Sequence, residues 1–148
     1  MNDALQQLAA SLGLSEREPL RLAFGHACVQ RVRHLLEDPA VVACLEVLGR
    51  HVAGNASRDE LERAAADAAA LANHHPGSRS LDGVGHAAVS ATYAVANALA
   101  GRALQAADYA AYASVYGAGG YGAVAERSAF EPEFGWQCDR LQALARGA

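Results

Sequence analysis

Eighteen consecutive residues, GVGHAAVSATYAVANALA from Gly83 to Ala100, contain no acid and no arginine. The polar groups of this stretch include His86 and the hydroxyls of Ser90, Thr92 and Tyr93. An apolar run of this length, built from small side chains, is stable in water only when other helices wrap it, and small side chains let those helices come close. The stretch therefore reads as the central helix of a bundle. Its polar residues, and the lack of a flanking arginine cluster or aromatic belt, argue against a membrane span.

The rest of the chain points the same way. At 148 residues it suits a single domain, 1–148, able to bury roughly 70% of its unfolded surface. Alanine dominates the 52% of apolar residues, while the β-branched and aromatic residues that strands favour are sparse. The expectation is an all-α bundle of about six to seven mostly antiparallel helices around residues 83–100. All twelve basic residues are arginine, scattered among sixteen acids for a net charge of −4, which argues against a phosphate-binding surface and hence against nucleic acid. Cys28, Cys44 and Cys138 form no CxxC pair and read as free thiols, the first two on buried helix faces. The start MNDALQQLAASLG lacks the charged and apolar regions of a signal peptide, so a soluble, cytoplasmic chain is expected.

In chain order, residues 3–12 form a short amphipathic helix closed by Gly13, making 1–14 an N-terminal helical segment. Ser15 and Glu18 have capping-box spacing, with a helix behind them to about Glu37. Asp38 caps a third helix with Pro39 in its first turn, ending at Gly54-Asn55. Ser57 and Glu60 are a second capping box, opening a helix to about Asn73 that HHPGS breaks. After the central helix, Gly101 interrupts, a sixth helix covers about 104–116, and the glycine-rich 117–122 reads as a flexible connector. Pro132 opens the last helix.

Candidate chemistry is thin. His26 and His34 lie two helical turns apart, about 12 Å, too far to share an ion by themselves. His74, His75 and His86, with Asp82, could surround a divalent metal, but no HExxH, ExxH or HxH spacing occurs. The plainer reading has His86 hydrogen-bonded in the core and His74 and His75 exposed at a helix end. No cofactor is expected. The glycine run lacks the order and the lysine of a phosphate loop, and no serine or cysteine sits in a nucleophile motif. Tyr109, Tyr112 and Tyr116 share one helix face, a pattern that usually means core and otherwise a sticky surface patch.

Four stretches, LRLAFGHACVQRVRHLLED (20–38), LEVLGRHVAGNASRDELERAAADAAALA (45–72), GHAAVSATYAVANAL (85–99) and FGWQCDRLQAL (134–144), carry a resemblance. Their order resembles the alanine-rich, all-helical immunity proteins of bacterial polymorphic toxin systems, and related helical domains of planctomycetes and actinobacteria. The glycine run at 117–122 departs from that pattern. The resemblance implies a non-catalytic protein that binds and neutralises a cognate toxin, an acidic surface aiding capture of a basic partner. Candidate partner-binding residues are then Asp59, Glu62, Asp67, Tyr116, Tyr121 and Trp136. The competing readings are a metal-dependent enzyme at the histidines and a scaffold that forms a homodimer through its alanine faces and tyrosine row.

Overall fold

Alanine sets the spacing of this bundle. The computed structural model describes residues 2–75 and 84–147, the side chain of Val84 excepted. Within them lie seven helices: α1 (Asp3–Leu12), α2 (Glu18–Gln30), α3 (Pro39–Val52), α4 (Arg58–Asn73), α5 (Val84–Leu99), α6 (Ala103–Val124) and α7 (Glu131–Ala145). Short 3-10 turns occupy Leu14–Glu16, Arg33–Leu35 and Arg127–Phe130, and the described residues contain no strand. The all-α bundle is as expected from composition. No helix of the described residues is long and apolar enough to cross a membrane.

The central position belongs to α5, which packs on α2, α3, α4 and α6. Its Ala87, Ala91, Ala94, Val95 and Ala98 are all fully buried. Across from them α6 buries Ala103, Ala106, Ala107, Ala110 and Ala113. Side chains this short bring the helix backbones close, as they do where α2 meets α5. A Cβ placed on Gly25 would stand 3.2 Å from the Cβ of Ala98 and 3.3 Å from its Cα. Phe24, Leu45, Leu48, Val95 and Leu141 fill the remaining volume in one core cluster that draws on all seven helices.

Local chemistry explains the helix ends. Three residues join α5 to α6. Gly101 adopts φ 77°, and a Schellman closure forms from Arg102 N–H to Asn97 C=O (2.9 Å) and from Gly101 N–H to Ala98 C=O (3.1 Å). The Arg21 guanidinium braces this turn, donating to the carbonyls of Gly101 (3.1 Å) and Leu14 (3.2 Å). Asp38 caps α3 by accepting from Ala40 N–H at 2.9 Å, and Ser57 with Glu60 forms the full reciprocal capping box of α4.

Three expectations are corrected. The Ser15–Glu18 box does not form: Leu14–Glu16 winds into a 3-10 turn, and the Ser15 hydroxyl reaches only Glu16. Arg21 holds the Leu14 and Ser15 carbonyls, which fixes that turn and leaves α2 to start on Glu18 without a side-chain cap. Nor does α2 run to Glu37. It stops at Gln30, where Val32 leaves helical geometry (φ −118°) with its side chain fully buried. Finally, helix extends past the expected end near 116: residues 117–122 are helical on either side of a kink at Gly120, and the helix ends at Val124.

One buried polar chain fastens the ends of the molecule. Asn2 caps α1 by accepting from Leu5 N–H (3.1 Å) and donates to the Gln137 Oε1 (3.2 Å) and the Phe134 carbonyl (3.2 Å). Gln137, fully buried, donates in turn to the Ala107 carbonyl at 2.9 Å, so α1, α7 and α6 share one network. The close α2–α5 contact makes the fold sensitive to volume. Ala98→Leu is expected to lower unfolding free energy by about 1–3 kcal/mol, read by urea denaturation, because the added atoms meet the Gly25 backbone.

Candidate functional site

Since the α5–α6 seam is closed by alanine, aromatic rings stand at its edge. All five tyrosines and two of the three phenylalanines gather there. Tyr93 of α5 stacks on Tyr109 of α6, centroids 5.4 Å apart. From α6, Tyr112 meets Phe130 edge-on at 5.1 Å, and Phe130 meets Phe134 of α7 at 5.5 Å. Tyr116, Tyr121 and His86 form a three-ring cluster with centroids 5.0–5.9 Å apart. Edge-to-face pairs of this kind contribute about 0.5–1.5 kcal/mol each beyond their buried area. The face is nonetheless open to solvent: Tyr109, Tyr112 and Tyr121 are 38%, 39% and 43% exposed. The tyrosine row is thus a surface feature and not the core that its spacing suggests.

Gly120 shapes one end of this face. Its φ 66° and ψ −155° lie in a region open essentially to glycine alone. The break turns the end of α6, and the chain returns through Ala125 and Glu126 into the Arg127–Phe130 turn. Phe130 buries against Ala111 and Val115 of α6. Between these parts lies a cleft of about 210 Å³ whose lining includes Asp108, Tyr112, Val124, Arg127, Phe130 and Phe134. Burial pushes the Asp108 carboxyl above the usual carboxylate range, offset in part by the positive charge at the chain's amino terminus.

Of the sequence-derived candidates, Tyr116 and Tyr121 come together. Trp136 lies elsewhere: the Arg31 guanidinium stacks on its ring, 4.1 Å from the centroid. The same guanidinium makes a two-pronged contact with the buried Glu133 carboxylate, at 2.9 and 2.8 Å. Asp59, Glu62 and Asp67 are exposed on α4. Asp67 lines an open groove against α3 with Ala40 and Val47, while Glu62 lines a cleft with Arg21, Leu22 and Leu99.

The histidines do not converge as a metal set. No group of three or more His, Cys, Asp or Glu among the described residues is placed to hold an ion, and Asp82 lies outside those residues. The His74 ring contacts the Ala70 carbonyl (2.7 Å) and His75 approaches Glu37 (4.0 Å). His86 also departs from expectation: its Nδ1 is buried with no hydrogen-bond partner, the ring being held by Tyr116 and Tyr121 instead. Burial pushes all three cysteine thiols above their ordinary range, which suppresses the thiolate that nucleophilic chemistry requires.

Sequence reasoning passed over Asp108, although a signal was present: it is the only charged residue in the 22 residues of α6. No protein-family model, no curated protein and no solved structure matches this chain. The geometry at Gly120 is directly testable. Gly120→Ala is expected to cost about 1–3 kcal/mol of stability and to change the tyrosine near-ultraviolet circular dichroism, whereas Gly122→Ala changes neither.

Proposed function

We propose that this protein is a non-catalytic protein-binding module, with the aromatic face on α5, α6 and α7 as its docking surface. The partner implied by the resemblance is a cognate bacterial toxin, which the protein would neutralise by covering it. The single observation that carries the reading is the solvent exposure of Tyr109, Tyr112 and Tyr121 on this face, with Tyr112 and Tyr121 joined through Tyr116 and Tyr109 stacked on Tyr93. Tyrosine is enriched at interfaces because its ring buries a large area at small entropic cost while its hydroxyl still hydrogen-bonds. The net charge of −4 suits long-range attraction of a basic partner.

Co-expression with the protein encoded directly beside this gene, assayed for toxicity, tests this. The expected result is a stoichiometric complex and loss of toxin activity. The double variant Tyr109→Ala, Tyr112→Ala is expected to weaken Kd by about tenfold or more, roughly 1.4 kcal/mol. Replacing Asp59, Glu62 and Asp67 by Arg is expected to slow association at low salt while changing dissociation little. A toxin that stays active in the presence of the protein overturns the reading. An unchanged Kd for the tyrosine double variant moves the interface off this face.

A further inference from the structure

The cleft at the end of the aromatic face holds two opposite charges, Asp108 and Arg127, on facing elements. Among the described residues, neither has an ion-pair partner within 4 Å, and they do not reach each other. The remaining side chains of the lining, Ala111, Tyr112, Val124, Ala125, Phe130 and Phe134, are apolar or aromatic. A half-buried carboxylate is costly for folding, and the positive charge at the chain's amino terminus offsets only part of that cost for Asp108. Such groups concentrate where a ligand completes them.

Size narrows the ligand. At about 210 Å³ the cleft is below the roughly 300–1,000 Å³ typical of drug-sized pockets. A phosphate ester would bring a second negative charge to Asp108, and a purely cationic ligand would face Arg127. A ligand with both charges and an apolar body satisfies all of the lining at once. We propose that this cleft binds a free α-amino acid with an apolar side chain: Asp108 receives its ammonium, Arg127 its carboxylate, and Tyr112, Phe130 and Phe134 its side chain. The site shares Tyr112, Phe130 and Phe134 with the proposed docking face but goes beyond the protein-binding reading, because it requires no partner protein.

The test uses the whole chain at pH 7.5 with L-leucine and L-phenylalanine, by calorimetry and thermal shift. Both amino acids are expected to bind and to raise Tm. N-acetyl-L-phenylalanine, lacking the ammonium, and L-phenylalaninamide, lacking the carboxylate, are each expected to bind about tenfold more weakly or worse. Asp108→Asn and Arg127→Gln are expected to lose affinity by a similar factor. Asp108→Asn also has a readout in the unliganded protein. Because the folded carboxyl titrates above its unfolded value, Asp108 stabilises the fold when protonated and loses that contribution as pH rises through the folded pKa. The variant is therefore expected to match or exceed the parent Tm at pH 7.5, with Arg127 the other charged group that lines the cleft, so lost binding is not lost folding. No binding of either amino acid at about 10 mM overturns the proposal, as does equal binding of the blocked derivatives. Toxin neutralisation is a separate assay on the same proteins, so either conclusion can fail alone.

Discussion

The contact between the alanine faces of α5 and α6 is the constraint on which the other features depend. Helices faced with alanine gain little area per residue, so their stability comes from backbone proximity and the dispersion contacts that proximity allows. Such proximity tolerates no extra volume. Gly25 meets Ala98 for the same reason: α2 crosses α5 where neither can carry a longer side chain. The larger side chains, Phe24, Leu45, Leu48 and Leu141, are fully buried around this closely packed centre.

An alanine core supplies few directional interactions, and the polar residues supply them instead. Arg21 links the Leu14 turn to the α5–α6 turn through backbone carbonyls. Asn2 and Gln137 join α1, α6 and α7 through a buried amide pair. Arg31 joins the end of α2 to α7 through Glu133 and Trp136. Each is a specific geometric tie between helices whose apolar faces, being nearly featureless, would otherwise slide with little change in energy.

The same constraint explains where the aromatic residues went. A tyrosine ring cannot enter a seam spaced for methyl groups, so Tyr109, Tyr112 and Tyr116 lie along its edge and pack on Tyr93, Phe130 and His86. A row of rings at helical spacing usually marks a core, and here it marks a surface because the opposite face of α6 is already filled by alanine. The break at Gly120 then lets the chain return over this edge, which places Arg127 and Phe130 opposite Asp108 and Tyr112.

Much of the fold was legible locally. The helical class, the central helix, the Asp38 and Ser57 caps and the stops at Gly54 and Gly101 all follow from propensity, capping chemistry and backbone freedom, which act within a few residues. What depended on distant partners was not legible. The Ser15 box lost to the pull of Arg21 on the Leu14 and Ser15 carbonyls, and the end of α2 was set by the burial of Val32. The glycine run is helical on either side of a kink at Gly120, and Tyr121 beyond that kink packs on His86. The candidate site divides in the same way. Tyr116 and Tyr121 were identifiable by type, and Asp108 was visible as a lone charge. Their arrangement, with Trp136 drawn off to Arg31 and Asp108 set facing Arg127, arises only in the tertiary structure. Capping and periodicity are properties of neighbours in the chain, so the sequence by itself determined the helices; which charges and rings meet depends on how closely those helices pack, which only the folded alanine contact decided.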